Sequence, residues 1–414
     1  MLTSCARLIV LTFAAASCLG FVPAHARQQP GAASGPRPPT APSNPKSDAA
    51  ERAARIADAA AKSSQLLLRM QETLDGAETK AEWPYEGVYR VKGEIPIGYR
   101  IGGTAICADA LLRLPGYDAS AAGKDAVARA AQFICTQIKH PLMNPETYDG
   151  GYDVRGWGYT CALAFLLDLR AAKAVPQDPP GLAASVDDTI RWCIDALNKT
   201  EIPKAGGWNY ARSPGRETVS PCSPFMTGPT LQALFDAKRQ RFDVDDAVIA
   251  RALDSLERCR SDAGSFSYSV GETRGAAEPT PGAVGRMLVG ECTLHLAGRA
   301  DLSRVRGAID AFLTHWQWLD QRRAKPGTHV GPYAIAPYYF YYAHYYAAQA
   351  IELLPAAERA EYRRRLTDLI FAVRQDDGSW NDRVFPRTAN FGTAMSAMAL
   401  VMPQSPTPAR YSAK

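Results

Sequence analysis

The sequence predicts an all-α fold in which two rings of about six helices lie one inside the other. A unit made of an amphipathic helix, a Gly-x-aromatic turn and a second helix recurs along the 414 residues at a spacing of about 50–70 residues. The first helix of each unit carries charges on one face, whereas the second is rich in Ala, Gly, Ser and Thr. Because one helix pair cannot bury its apolar faces alone, neighbouring pairs must stack, and a closed ring needs no capping repeat.

The turns and the helices around them divide the chain into an outer and an inner set. The turns are Gly150-Gly151-Tyr152, Gly206-Gly207-Trp208, Gly264-Ser265-Phe266, Gly331-Pro332-Tyr333 and Gly378-Ser379-Trp380, with a weaker first copy around Trp83. Segments such as TIRWCIDAL and ALDSLERC precede the turns and show the 3.6-residue apolar period of a helix with one wet face. Segments such as GYTCALAFLLDL and GTAMSAMALVM follow them and suit helices packed on several sides.

The ends of the chain predict export. Arg7, the apolar run that follows it and Ala24-His25-Ala26 have the form of a signal peptide, while AASC at residues 15–18 leaves lipoprotein processing open. The predicted organisation is a signal peptide at 1–26, a disordered Pro/Gly-rich linker at 27–49, the helical domain at 50–402 and a flexible tail at 403–414. We therefore expect an exported protein of the periplasm or cell envelope, with secretion and lipid anchoring both open, and no transmembrane segment.

Composition excludes several function classes. The net charge of +5 is spread without a basic stripe, which argues against nucleic-acid binding. Seven cysteines follow the predicted cleavage site without metal-ligand spacing, so we expect no metal site and no cofactor. Which of these cysteines form disulfides, if any, stays open at this point, as does any protein partner.

QDDGSW at residues 375–380, followed by NFGTAMSAMAL, resembles the repeat of the prenyltransferase/squalene-cyclase superfamily, the QW motif. The resemblance covers residues 50–402, although the other copies keep the Gly-x-aromatic turn and mostly lose the glutamine. It implies the α/α toroid of squalene–hopene cyclases and protein prenyltransferase β subunits. Within the superfamily the chain is most similar to secreted, stand-alone bacterial repeat proteins of unassigned chemistry.

Two catalytic signatures of that superfamily match this chain only in part. Asp243-Val244-Asp245-Asp246 spells the DxDD of cyclases, in which Asp245 would be the acid, but it precedes an outer helix. Ser185-Val186-Asp187-Asp188 and Asp301 stand in similar places, which favours helix capping as the shared role. His344 resembles the zinc-ligand histidine of protein prenyltransferases, but Val284 and Arg286 stand where the other two ligands would be. His344 with Tyr345 then remains a candidate general base.

Arginines in the loops that enter the inner helices predict an anion site at one mouth of the ring. They are Arg100, Arg155, Arg212, Arg274 and Arg387, with Arg286 just inside a helix and with Trp157 and Tyr159 beside Arg155 as further ligand-binding candidates. The alternative is that these arginines pair with local acids such as Asp149, Asp153, Glu272 and Asp382.

The stretch PYYFYYAHYYAAQAI, from residue 337, predicts a tyrosine-lined inner helix. Tyr338, Tyr342, Tyr345 and Gln349 share one face, and so many hydroxyls are costly to bury without partners, so some must face a cavity. Tyrosine faces suit a cationic guest or a sugar.

Four functions stay open. The first is an exported toroid protein that binds an elongated small-molecule, lipid or glycan ligand in its central cavity. The second is a terpenoid cyclase or prenyltransferase-like enzyme, which needs an acid facing the cavity, for which Asp109, Glu291 and Glu352 are candidates. The third is a polysaccharide lyase or hydrolase, and the fourth is an envelope scaffold.

Overall fold

A computed structural model of the protein describes residues 45–147, 154–177, 180–209 and 220–412. Contacts divide the chain into two units, Met1–Asp48 and Ala49–Lys414. The predicted signal peptide and most of the predicted linker therefore lie outside the described residues. No helix in the described ranges is long and apolar enough to cross a membrane.

Twelve α-helices account for the regular structure of the described residues. They are α1 (Pro45–Met70), α2 (Ile97–Arg113), α3 (Ala121–Gln137), α4 (Arg155–Ala171), α5 (Leu182–Thr200), α6 (Pro224–Arg239), α7 (Asp246–Cys259), α8 (Thr280–Leu296), α9 (Leu302–Arg322), α10 (Tyr339–Leu353), α11 (Ala356–Ala372) and α12 (Ala389–Val401).

The even-numbered helices form a closed inner ring. Each contacts the next even-numbered helix along the chain, and α12 returns to contact α2. The odd-numbered helices lie outside: α3 packs on α2, α5 on α4, α7 on α6 and α8, α9 on α8 and α10, and α11 on α10. Arg55 of α1 lies over the Phe371 ring of α11, 4.5 Å from its centroid, which joins α1 to this outer layer. The predicted α/α toroid is confirmed.

The two rings differ in burial, as their compositions predict. Every residue of α12 is buried, whereas α11 buries only Leu366, Thr367 and Ile370. Small residues allow the inner helices to approach closely: a Cβ on Gly228 of α6 would lie 2.6 Å from a Val289 methyl of α8. Ala, Gly, Ser and Thr are therefore frequent in the inner set because larger side chains would push neighbouring backbones apart.

Three turn tryptophans join an outer helix to the inner helix that follows it. Each indole N–H donates to a carbonyl near the end of the outer helix, and each backbone N–H donates to a threonine hydroxyl of the inner helix. The indole bonds are Trp83–Leu67 (2.7 Å), Trp208–Leu197 (2.9 Å) and Trp380–Ile370 (2.8 Å), and the backbone bonds are Trp83–Thr104 (2.9 Å), Trp208–Thr227 (3.0 Å) and Trp380–Thr393 (3.2 Å). The weak first copy around Trp83 is therefore a complete structural repeat.

The predicted helix caps are confirmed at two positions and wrong at a third. Asp245 accepts a hydrogen bond from the backbone N–H of Ala247 at the start of α7 (2.8 Å), and Asp301 caps α9 in the same way. The segment 185–188 does not begin a helix. Helix α5 begins at Leu182, behind a Gly181 with φ of 87°, a left-handed conformation that glycine adopts readily.

The described residues of the predicted flexible tail, 403–412, contact the inner helices, although only Ala409 among them is buried. The Ala409 N–H donates to Asp236 Oδ1 (3.1 Å), and the Tyr411 N–H donates to the Leu296 carbonyl (3.0 Å). The Tyr411 ring stacks on Phe235 with centroids 5.2 Å apart. These contacts could not be predicted from the composition of the segment, which is rich in Pro, Ser and Thr, because backbone groups and a single aromatic ring make them.

Candidate functional site

A cavity of about 370 Å³ lies inside the inner ring. Residues of α2, α4, α6, α10 and α12 form its wall, and residues 404–408 of the C-terminal segment line one end. Its volume is within the range of small-molecule sites in proteins. The ring geometry thus places this cavity in contact with five inner helices.

Aromatic and methionine side chains form much of the wall. Those that line the cavity include Trp157, Phe225, Tyr342, Tyr345, Tyr346, Phe391, Met226, Met395, Met398 and Met402. Methionine adapts to irregular apolar surfaces, and aromatic faces attract apolar or cationic groups. This part of the cavity suits a hydrocarbon body better than a heavily hydrated one.

Helix α10 contributes its tyrosines from one face. Tyr342, Tyr345, Tyr346 and Gln349 line the cavity, so the predicted face lies there from residue 342 onward, with Tyr346 added. Burial raises the pKa of all three phenols, and Arg113 partly opposes this rise for Tyr345. The hydroxyls therefore stay protonated and can act as neutral hydrogen-bond donors.

A group of charged side chains, which we call the charged pole, lies in the last turns of three inner helices. It consists of Asp109 and Arg113 of α2, Asp168 of α4, and Asp236 and Arg239 of α6. Arg113 holds Asp109 with two bonds of 2.9 Å and also binds Asp168, while Arg239 Nη2 lies 2.6 Å from Asp236 Oδ1. Three carboxylates thus share two guanidinium groups.

Two of these carboxyl groups titrate near neutral pH. Burial raises the pKa of Asp109 to about 7, with Arg113 opposing and Asp168 adding to the rise. Burial likewise raises the pKa of Asp236 to about 6, with Arg239 opposing and Asp168 adding. A carboxyl group with a pKa close to the working pH can hold or release a proton during binding or reaction.

The remaining polar side chains of the wall mostly pair with one another. Gln232 and Gln349 exchange amide hydrogen bonds of 3.0 Å across α6 and α10, and Gln232 also donates to Thr293 (3.0 Å). The hydroxyls of Thr160 and Thr230 lie 2.8 Å apart. These bonds tie the inner helices together and leave the charged pole as the main polar surface for a ligand.

His344 lies outside the cavity, between α10 and α9. Its Nε2 accepts a hydrogen bond from the Trp316 indole (2.9 Å), and its Nδ1 lies 2.7 Å from the Phe340 carbonyl. Burial lowers its pKa to about 4, so the ring is neutral. Both ring nitrogens are bonded and His344 does not line the cavity, so the structure places it between the two rings of helices rather than beside Tyr345 in the cavity wall.

The arginines that were predicted to form an anion site at the mouth all have partners within the protein where they are described, as the alternative interpretation expected. Arg100 binds Glu82 with bonds of 2.8 and 2.6 Å, and Arg286 binds Glu278 (2.7 Å) and the Phe266 carbonyl (3.0 Å). Arg387 binds Glu72 (2.7 Å) and Glu86 (3.0 Å), Arg274 binds Asp262, and Arg155 donates to the carbonyls of Asn144 and Thr147. Arg212 lies outside the described residues.

The aromatic candidates divide between the cavity and the space between the rings. Trp157 and Tyr342 line the cavity, as predicted for ligand contact. Tyr159 is buried instead against Trp192, with its hydroxyl bonded to the Met143 carbonyl, and Tyr338 lies at the start of α10 with its hydroxyl 3.2 Å from His329 Nε2. Tyr159 and Tyr338 therefore support the fold in this structure rather than the cavity wall.

Of the candidate acids, only Asp109 lines the cavity. Asp245 is exposed at the start of the outer helix α7, which rules it out as a cavity acid. Glu291 is held by Arg260 with bonds of 2.8 and 2.6 Å, and Glu352 by Arg363 with bonds of 2.7 and 2.5 Å. Arg113, Asp168, Asp236 and Arg239 are the charged cavity residues that the sequence analysis missed.

Metal ligands and disulfides can be assessed only for the residues that the structure describes. Among them, no group of three or more His, Cys, Asp and Glu side chains could hold a metal ion. Seven cysteines, at positions 107, 135, 161, 193, 222, 259 and 292, are free thiols in the structure, and all except the half-buried Cys161 are buried.

Comparisons with known proteins identify the fold. No family model matches the chain, and no curated protein matches it. The unsaturated glucuronyl hydrolase from Streptococcus agalactiae matches with a TM-score of 0.54 and 10% identity over 84% of this chain and 92% of that one. The GH76A alpha-1,6-mannanase from Salegentibacter sp. HEL1_6 matches with a TM-score of 0.51 and 13% identity over 84% of this chain and 99% of that one.

The type II terpene cyclase MstE from Scytonema also matches, with a TM-score of 0.45 and 15% identity over 86% of this chain and 99% of that one. A TM-score this low supports no argument. At the identities of the other two matches, the similarity shows the fold alone. This chain is therefore similar to α/α-toroid proteins in its fold.

Proposed function

We propose that the protein binds an elongated ligand in the central cavity of its toroid. The ligand's apolar body would lie against the aromatic and methionine wall, and its polar end would lie at the charged pole. The observation that supports this most strongly is the cavity of about 370 Å³, whose wall combines aromatic and methionine side chains with the charged pole. Pockets with mostly apolar walls and a few converging polar groups are the usual form of small-molecule sites.

The charged pole favours a ligand end that carries hydroxyl or ammonium groups. Asp109, Asp168 and Asp236 outnumber the guanidinium groups of Arg113 and Arg239, so the pole has one acceptor group in excess. A carboxylate ligand would add a further negative charge to a partly buried group of acids, which costs energy at short range. An ammonium group would instead offset the negative charge that three carboxylates have in excess of two arginines.

Titration with three probes of equal chain length tests this proposal. Dodecylamine, dodecanol and dodecanoate would be titrated calorimetrically into the full chain at pH 8, below the concentrations at which they form micelles. We expect the amine to bind most tightly and the carboxylate to bind about tenfold or more weakly. The reason is that the ligand's head group is positive in the amine and negative in the carboxylate, and the pole carries an excess of acids. Absence of binding for all three probes would contradict the binding function, and tightest binding of the carboxylate would contradict the polarity of the site.

A terpenoid cyclase-like reaction is the second candidate, and the raised pKa of Asp109 favours it. In such a reaction, Asp109 would transfer its proton to one carbon of an alkene. The O–H bond breaks, a C–H bond forms from the π electrons, and the adjacent carbon becomes cationic. The faces of Trp157 and Tyr342 would stabilise this cation. The π electrons of a second alkene in the chain would form a C–C bond to the cationic carbon, which closes the ring and moves the positive charge. Loss of a proton from this cation to water would form a new C=C bond, and Asp109 would take up a proton from the solvent.

Incubation of the protein with a linear polyisoprenoid, followed by gas chromatography with mass spectrometry, tests this second candidate. We expect an isomeric cyclic product with the wild type and none with Asp109→Asn, which cannot supply the proton. A wild type that forms no product while it still binds dodecylamine would remove the enzyme and keep the binding protein. Two of the four features that favoured a lyase or hydrolase do not support it, because His344 is outside the cavity and the described mouth arginines are bonded, whereas the cavity tyrosines and the predicted export remain in its favour.

Export and the repeat resemblance are also part of this proposal. The chain would be exported with cleavage after Ala26, and its repeats would be divergent members of the prenyltransferase/squalene-cyclase type. N-terminal sequencing of protein from the cell envelope tests the first point, with Arg27 as the expected first residue. A mature chain that still begins at Met1 would contradict export by this route.

A further inference from the structure

Two cysteines lie side by side where α6 begins and α7 ends. The Sγ atoms of Cys222 and Cys259 are 3.8 Å apart, and both side chains are fully buried. Cys222 precedes α6 by two residues, and Cys259 is the last residue of α7. The pair thus connects an inner helix with the outer helix that packs on it.

The backbone around the pair is held by hydrogen bonds on both sides. Cys222 and Val270 exchange two backbone bonds of 2.8 and 3.0 Å, and the Ser267 N–H donates to the Cys259 carbonyl (2.9 Å). These bonds attach both cysteines to the segment around the turn at Gly264. The two side chains therefore meet because the fold brings their backbones together.

The chemical surroundings favour a thiolate at one position and a thiol at the other. The Ser255 hydroxyl donates to Cys222 Sγ (2.6 Å). A hydrogen bond from Cys259, with smaller help from Ser255 and Arg258, lowers the pKa of Cys222, whereas burial and the neighbouring Cys222 raise the pKa of Cys259. Thiol–disulfide exchange needs this combination of a nucleophilic thiolate and a second thiol within reach.

We propose that Cys222 and Cys259 form a disulfide bond when the chain folds in an oxidising environment. An external disulfide, such as oxidised glutathione or an oxidoreductase, would accept the electrons. While this segment is still accessible during folding, Cys222 attacks one sulfur of the external disulfide and breaks its S–S bond, which forms a mixed disulfide and releases one thiol. Cys259 then loses its proton and attacks Cys222 Sγ, which forms the Sγ–Sγ bond and releases the second thiol.

The bond would fasten the start of α6 to the end of α7. Side-chain rotation would bring the sulfurs from 3.8 Å to a bonded distance of about 2.0 Å. Because the two cysteines are 37 positions apart, the cross-link closes a long loop and restricts the unfolded chain. Phe225 and Met226 lie in the first turn of α6, shortly after Cys222, and line the cavity. The bond would therefore also hold this part of the cavity wall in place.

Peptide mapping tests the bond. The full chain would be unfolded, refolded with a mixture of reduced and oxidised glutathione, blocked with iodoacetamide, digested and analysed by mass spectrometry. We expect a linked pair of peptides that contain Cys222 and Cys259. The pair should be absent in Cys222→Ser and Cys259→Ser and present in Cys292→Ser, a matched control that removes a buried cysteine of α8. Blocked thiols at both positions, or pairing with other cysteines, would overturn the proposal.

Thermal unfolding tests whether the bond fastens the fold. The oxidised wild type and oxidised Cys292→Ser should unfold about 3–6 °C above their reduced forms, and Cys222→Ser should show no such shift. Equal midpoints for oxidised and reduced wild type, with the link present, would overturn the fastening role. Neither measurement uses a ligand, so both are independent of the function of the cavity.

Discussion

The two ends of the inner ring both carry ion pairs, but only those at one end line the cavity. Where the inner helices begin, Arg100, Arg274, Arg286 and Arg387 each bind at least one carboxylate, and none of the four lines the cavity. Where they end, the three carboxylates of the charged pole share two arginines at the cavity. We expect the first set of ion pairs to stabilise loops and helix starts and the charged pole to contact a ligand. The comparison predicts that changes at the first end alter stability and changes at the second alter binding.

The largest expected effect is on stability at the end of the ring where the inner helices begin. Arg286 is buried, binds Glu278 and the Phe266 carbonyl, and lies over the rings of Phe225 and Tyr268. Arg286→Ala should lower the free energy of unfolding by about 3 kcal/mol, because it removes a buried side chain that packs on two aromatic rings, takes the donor from the Phe266 carbonyl and breaks the ion pair with the half-exposed Glu278. Urea denaturation measures this loss.

The control for this change is Arg274→Ala, which removes an exposed arginine from its ion pair with exposed Asp262. We expect a change within about 0.5 kcal/mol. Equal losses of stability in the two variants would contradict the prediction that the buried arginine stabilises the fold more than the exposed one.

The second prediction concerns the face of α10 that points away from the cavity. The folded-state pKa of His344 is about 4, and its usual value is 6.5. Between these pH values the unfolded chain binds a proton at this residue and the folded chain does not. The free energy of unfolding should therefore decrease as the pH falls from 6.5 to 4, by up to about 3 kcal/mol from this residue.

Urea denaturation of the wild type and His344→Phe across this pH range isolates the contribution of His344, since the other titrating groups are common to both. We expect the difference in unfolding free energy between the two proteins to change with pH. A constant difference would contradict the buried, neutral histidine.

The third prediction concerns ligand binding at the charged pole. Because the pKa of Asp109 is about 7, its ionised fraction increases as the pH rises through 7. Dodecylamine should bind up to about tenfold more tightly at pH 8 than at pH 6, and Asp109→Asn should reduce this ratio to the roughly twofold that Asp236, with a pKa of about 6, contributes. Calorimetric titration at both pH values provides the measurement. The same pH dependence in Asp109→Asn would assign it to another group.

The smallest expected effect is at the DxDD segment. Asp245→Ala should lower the free energy of unfolding by about 1 kcal/mol, because the backbone N–H of Ala247 loses its acceptor. Asp243→Ala, which removes an exposed acid that does not cap the helix, should change it by less than about 0.5 kcal/mol. Loss of dodecylamine binding in Asp245→Ala without loss of stability would reverse the assignment of this segment to capping.

Most of the fold could be predicted from the sequence, because helices with a charged face alternate with helices rich in small residues. The first kind suits the outer ring, which faces water, and the second suits the closely packed inner ring. The caps at Asp245 and Asp301 followed from helix-start chemistry. The start of α5 did not, because Gly181 begins the helix one turn before the expected acids. The packing of the tail was also missed, since a single tyrosine and backbone groups make its contacts.

The candidate site was harder to predict because the informative residues lie at helix ends, where charges usually face water. Arg113, Asp168 and Asp236 each follow an apolar run in an inner helix, in ALLRL, LLDL and LFDA. Their recurrence at the same place in three successive inner helices was the available signal. The loop arginines attracted attention instead, but a sequence does not show that their partners, such as Glu82 and Glu278, are already within 3 Å.

The cavity's role as the ligand site is tested most directly by filling it. Ala164 lines the cavity on α4, so Ala164→Phe should occupy its space, whereas Ala122→Phe adds the same ring on the exposed face of α3. Calorimetric titration with dodecylamine should give wild-type affinity for Ala122→Phe, at least about tenfold weaker binding for Ala164→Phe, and an intermediate value for the smaller Ala164→Leu. Wild-type affinity in Ala164→Phe would contradict binding within the ring.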